Sequence, residues 1–210
     1  MEQFNMTKER FAGELKKLVR EMPLNKITVR LLCEQCGVNR GTFYYHFLDI
    51  MDLVEWIYRM DIAEPTKAYI RTAPLPLESI SQRLLEKAHK DRELYTQAVQ
   101  FKGQNLPAEF ILQESVENWE CLWERLKAEK KILEEQLPEE QQEMIHFILR
   151  YYGCAHYCVF LRWVQEGMRI RPKQLAERMD SAAVWGLNTA FKQIFPREKY
   201  VIPFHHAGQY

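Results

Sequence analysis

The chain has little of what punctuates β-structure and nothing long enough to enter a bilayer. Only 8 glycines and 9 prolines occur in 210 residues, and no alternation of apolar and polar residues lasts beyond a few positions, which excludes a β-rich fold. No apolar run approaches the roughly 18 residues of a membrane span, so no membrane partner is expected. The N-terminal stretch MEQFNMTKERF lacks a hydrophobic signal region, which points to the cytoplasm. Five cysteines, an odd number, argue against a disulfide framework. A Ser/His/Asp set, a phosphate loop and a metal cluster of usable spacing are all missing, so neither enzyme activity nor a cofactor is expected. The net charge is zero, with 29 basic and 29 acidic residues, so there is no overall pull toward a polyanion.

What is present is helical periodicity almost throughout, in a chain of ordinary globular composition with 47% apolar residues. The expected fold is all-α. The first helix runs from about Thr7 to Glu21, ended by Pro23. A fourth helix runs from Asp49 to about Arg71, bent or broken near Pro65, and the Pro74–Pro76 stretch reads as a linker. Further helices are expected over Leu77–Phe101, Pro107–Leu137, Pro138–Glu166 and Pro172–Phe195, with a turn at 102–105 and a loose or partner-packed tail over 196–210.

The informative segment is Thr28 to Phe47, TVRLLCEQCGVNRGTFYYHF, which reads as two short helices joined by a glycine turn. Thr28 and Asn39 are N-cap residues, and Gly37 can take the positive φ that closes the first helix. Phe43 and Phe47 share one face and anchor the second helix to its own domain. Its other surface offers Arg40, Thr42, Tyr44, Tyr45 and His46, with no acid between Gln35 and Leu48. A solvated face is normally filled with Lys and Glu. An acid-free aromatic face suits the major groove of DNA better. Cys33 and Cys36 invite a zinc or redox reading, but no second ligand pair has suitable spacing, so they read as small buried residues.

Charge is unevenly spread. Residues 1–50 carry eight Lys/Arg against six Asp/Glu, residues 101–145 five against eleven, and residues 146–210 nine against four. The first segment is only mildly basic, so tight DNA binding would require two copies acting together.

The stretch ITVRLLCEQCGVNRGTFYYHF, followed by LDIMDLV, resembles the TetR family of bacterial transcriptional regulators, with its Gly-Val, turn-capping residue, Gly-Thr, Phe-Tyr and following Phe in register. The resemblance implies a three-helix helix-turn-helix DNA-binding domain over 1–60 and a helical effector-binding and dimerisation domain over 61–210. It implies that Thr28 and Arg30 lie near phosphate or a neighbouring groove, that Arg40, Gly41 and Tyr44 face base edges, and that Thr42, Tyr45 and His46 contact the sugar-phosphate backbone or adjacent bases, with Asn39, the cap of that helix, also in the DNA-binding set. The family usually carries a lysine just beyond the recognition helix, where this chain has Ile50. A looser pattern, Tyr152-Gly153, Trp163, Glu166-Gly167-Met168 and Pro172, is similar to the DhaS-like branch of that family.

The later helices bear on dimerisation and on a ligand. The expected helix Pro138–Glu166 is apolar nearly all round in its second half, and such a helix must be buried on every side. Tyr157, Phe160 and Leu161, with Ala183, Trp185, Leu187 and Ala190 on the last helix, are therefore expected at a homodimer interface built as a four-helix bundle. Tyr95, Phe110, Trp119, Trp123, Tyr151 and His156 could line a site for an unidentified small-molecule effector, although a plain helical core explains the same aromatics. The expected function is a dimeric repressor released from a double-stranded, palindromic DNA operator by that effector. A co-activator or scaffold working through a protein partner is the alternative.

Overall fold

The computed structural model describes residues 2–75, 77–100 and 107–195. The helices are α1 (Glu2–Glu21), α2 (Val29–Cys36), α3 (Arg40–His46), α4 (Ile50–Tyr58), α5 (Glu64–Thr72), α6 (Ile80–Lys90), α7 (Arg92–Ala98), α8 (Pro107–Lys130), α9 (Glu139–Gln165) and α10 (Pro172–Ile194). No β-strand occurs among the described residues, so the fold is all-α. Nor is any helix among them long and apolar enough to cross a membrane. The turn expected at 102–105 and the tail 196–210 lie outside the described residues.

The bend expected near Pro65 has a specific form. Proline has no N–H to give the carbonyl four residues back, and α4 passes into α5 through a π-helical turn, Arg59–Ala63, in which Glu64 N–H reaches Arg59 O. The helix expected over Leu77–Phe101 is broken at Asp91, whose backbone turns to φ −113° and ψ 38°. The cause is tertiary: Asp91 lies 2.7 Å from Lys16 and 3.7 Å from Arg20 on α1. Helix α8 stops at Lys130, where Lys131 adopts a φ of 54°. In the expected linker, Leu75 packs against the second core, and Leu77, just after it, is fully buried there, with α6 beginning only at Ile80.

Three apolar cores form. The first joins α1 to α4 through Phe11, Leu15, Leu32, Phe43, Phe47 and Leu53, and it also takes in Leu94 and Ala98 of α7. It therefore crosses the boundary expected at residue 60. The second packs Ile70, Trp119, Trp123, Leu149, Leu187 and Phe191 from α5, α8, α9 and α10. The third gathers Tyr58, Ile62, Leu85, Tyr95, Ile111, Phe160 and Trp163 between the other two.

Two contacts set how close the long helices come. A Cβ on Gly153 of α9 would lie 2.7 Å from the Cα of Val116 on α8, so glycine lets the two backbones touch there. Lys67 of α5 is buried and forms ion pairs with Glu114 at 2.7 Å and Glu117 at 2.5 Å on α8. A buried cation survives only with such partners.

Candidate nucleic-acid interface and ligand cavity

The helix-turn-helix is built by local hydrogen bonds that the sequence foreshadows. Thr28 Oγ1 accepts from Leu31 N–H at 3.1 Å and Asn39 Oδ1 accepts from Thr42 N–H at 2.9 Å. Gly37 closes α2 with a φ of 61°, a conformation that carries no steric cost for glycine. Phe43 and Phe47 are buried, and both meet the edge of Phe11, at 5.2 and 6.3 Å between ring centroids. With that face fixed, α3 presents Arg40, Gly41, Tyr44 and Tyr45 to solvent, and the two tyrosines are 58% and 75% exposed. Large aromatics so exposed on a helix only seven residues long are costly without a partner surface.

The other expected contacts are less uniform. Asn39, Thr28 and Arg30 are exposed, and Arg30 lies 3.5 Å from Glu34 on its own helix. Arg40 has no ion-pair partner among the described residues. Thr42 is half-buried and also donates its hydroxyl to Asn39 Oδ1 at 3.3 Å. His46 is half-buried beside the Tyr45 ring at 5.0 Å. Burial, assisted by the charge of Lys8, holds its imidazole below the usual histidine range, so it meets a partner at neutral pH as an uncharged ring. Ile50 is half-buried against the first core and leaves no surface cation at that position. Cys33 and Cys36 are buried and free, and burial pushes the Cys36 thiol up to about 11.

Sequence reasoning missed Gln97. Its side chain accepts from Leu24 N–H at 2.5 Å and donates to Val19 O at 2.8 Å, fastening α7 to the end of α1. The two bonds span 73 and 78 residues, so no local pattern announces them.

A cavity of about 680 Å³, counting its open mouth, lies between α4, α5, α6, α8, α9 and α10. Trp119 and His156, expected as ligand contacts, line it, with their rings 5.1 Å apart. Tyr58, Ile111 and Phe160 also border a second chamber, which reaches Tyr95 of α7 and Val54 of α4. The Tyr95 hydroxyl is buried there without a hydrogen-bond partner among the described residues. Phe110 packs edge-on against Tyr58 at 6.0 Å, under the Arg59 guanidinium.

Trp123 and Tyr151 lie elsewhere. Trp123 is buried in the second core, stacked on Phe191 and donating to Glu134 at 3.1 Å. Tyr151 is 60% exposed and stacks on the exposed Phe147. Most residues expected at a dimer interface face inward. Tyr157, Phe160 and Ala183 line the first chamber, Leu161 lines the second, Leu187 is buried in the second core, and Ala190 packs beside that core. Trp185, 77% exposed, does face outward. The outward apolar stripe of α9 runs instead through Met144, Phe147 and Tyr151.

Comparison with known proteins follows the same lines. No curated protein matches the chain. The family described as "Transcriptional regulator C-terminal region", one of the TetR C-terminal families, matches residues 77–183. Among solved structures, the "Dihydroxyacetone kinase operon activator DhaS" superposes with a TM-score of 0.59 at 18% identity, covering 90% of this chain and 96% of that one. A TetR-family transcriptional regulator from Streptomyces coelicolor gives 0.51 at 11% identity, covering 91% and 92%. Those likenesses are of fold, and the family match spans half of the sequence: the chain belongs to the TetR family of transcriptional regulators.

Proposed function

We propose that the chain acts as a homodimer that represses transcription by binding a palindromic DNA operator and leaves it when a small molecule fills the cavity. The observation that carries this reading is the α3 surface. Arg40, Gly41, Tyr44 and Tyr45 stand exposed on a helix whose opposite face, Phe43 with Phe47 just beyond it, is locked into a core. Arg40 is the candidate for bidentate readout of a guanine, worth about 1–3 kcal/mol of discrimination. Dimerisation is supported by the outward stripe Met144, Phe147, Tyr151 and Trp185, since apolar surface of this kind is seldom left in water. Two recognition helices held roughly 34–36 Å apart would reach successive major grooves.

Effector coupling is supported by the position of α4. Its last residue, Tyr58, is a wall of the cavity, while Leu53 and Val54 belong to the core that seats the recognition helix. A ligand that binds the two arrangements of α4 unequally shifts operator affinity by that difference, typically about 1–3 kcal/mol. The test is a mobility-shift series on the DNA upstream of the chain's own gene. Arg40→Ala with Tyr44→Ala should abolish the shift and leave thermal melting unchanged, because both side chains are exposed. Undiminished binding would remove α3 as the reading element.

A second reading, activation through a protein partner, is favoured by Ile50. The cation that the resemblance leads one to expect there is replaced by a side chain turned to the core. The structural neighbour DhaS is itself described as an operon activator. Co-purification of a stoichiometric protein partner without measurable DNA affinity would support this reading over the first.

A further inference from the structure

Ser115, Asn118, His156 and Asp180 all bring hydrogen-bond acceptors to the wall of the first chamber. Ser115 gives its hydroxyl proton to Gly153 O at 2.9 Å, so toward the chamber its oxygen can only accept. His156 Nδ1 lies 2.9 Å from Tyr152 O, and a carbonyl can only accept, so Nδ1 carries a proton. Burial holds the ring below the usual histidine range, against the nearby Asp180 charge, and in the neutral ring Nε2 is then an acceptor. Asn118 Oδ1 is buried with no hydrogen-bond partner among the described residues. Asp180 adds a half-buried carboxylate, and no Lys or Arg among the described residues lines the chamber. Ser81, Tyr58, Tyr157 and Trp119 add hydroxyl and indole groups, and the remaining walls, including Ile111, Leu85 and Phe160, are apolar.

We propose that this chamber selects an effector with an apolar body and a single protonated amine head, the head held by Asp180 with Asn118 Oδ1 and His156 Nε2. The inference rests on the effector-binding reading of the cavity and names the class of ligand it takes. An ammonium group supplies several N–H donors to a wall that offers acceptors, and its charge is met by the one carboxylate. A carboxylate or phosphate head would face Asp180 with no cation to offset it, and desolvating such a head without a partner is strongly unfavourable. The body lies along Ile111 and Phe160, which the second chamber shares, and a longer body would reach Val54 on α4.

The test uses the full chain and three probes of equal length: octylamine, octanol and octanoate, titrated by calorimetry. Octylamine should bind roughly tenfold or more tighter than octanol, the size of a hydrogen bond to a charged group, with octanoate weakest. Asp180→Asn should erase the amine's advantage and leave octanol unchanged. Leu84→Trp, which fills the half-buried wall, should weaken all three. Octanoate binding as tightly as octylamine overturns the proposal, as does amine binding indifferent to Asp180→Asn or no binding of any probe. A mobility shift run with saturating octylamine separates the two readings. If amine binding depends on Asp180 but operator affinity does not change, the head-group assignment stands and release by an effector falls.

Discussion

Gln97→Ala should cost more than its half-buried position suggests. The side chain closes two backbone groups at once, accepting from Leu24 N–H at 2.5 Å and donating to Val19 O at 2.8 Å. Val19 sits in the last turn of α1, where carbonyls have no helical partner. Leu24 is 2% exposed, so water does not readily replace the lost acceptor. Each buried backbone group left unpaired costs about 1–3 kcal/mol. Taking the lower part of that range for the partly wetted carbonyl, the loss is about 2–4 kcal/mol, out of the about 5–15 kcal/mol that holds a domain folded. In a chain of this length that lowers the melting temperature by about 4–16 °C. Urea unfolding followed by circular dichroism measures the loss, and amide exchange at Leu24 locates it. Gln97→Glu keeps the acceptor but turns a carboxylate oxygen against Val19 O, so it should do no better than alanine. A loss below about 0.5 kcal/mol, the level of an ordinary surface substitution, with unchanged exchange at Leu24 would refute the reasoning.

Other outcomes follow from single contacts. Gly153→Ala places a Cβ 2.7 Å from the Val116 Cα and 3.1 Å from its nitrogen, atoms that cannot swing aside; chemical denaturation should show a loss of about 1–3 kcal/mol. The hydrogen bond from Lys67 holds the Glu117 carboxyl below its usual range despite partial burial. Because the folded value is depressed, the stabilisation is fully present above the ordinary value of 4.5 and is lost as pH falls through the lower folded value. Glu117→Gln should therefore be less stable than the parent at neutral pH, and the gap in urea midpoints should close below about pH 4. Phe147→Asp combined with Trp185→Ser changes only exposed side chains; sedimentation should show a monomer with unchanged helix content and weakened operator binding.

The helix-turn-helix was legible because its determinants are local. Thr28, Gly37 and Asn39 act on groups a few residues away, and the spacing of Phe43 and Phe47 defines one face by itself. The phase of α9 was not legible. When apolar residues occupy every side of a helix, periodicity carries no direction, and only the neighbours decide that Phe160 turns to the cavity and Tyr151 to the outside. The break at Asp91 was hidden for a related reason, since the ions that bend it are on α1. The buried Lys67 cluster likewise needs α5 and α8 side by side before its charges make sense.

The π-helical turn at Arg59–Ala63 gives the connecting helix one more residue than an unbroken α-helix would hold over the same span. Each residue of an α-helix accounts for about 100° of rotation. The segment is thus an indexing joint: the angular phase between α3 and the cavity is set by the number of residues there. Deleting one residue from it would return the segment to the count of an unbroken α-helix, whereas inserting one would turn Tyr58 by about that angle away from the cavity wall. In a chain built this way, an insertion at the joint disturbs the relation between α3 and the cavity more than any substitution within either.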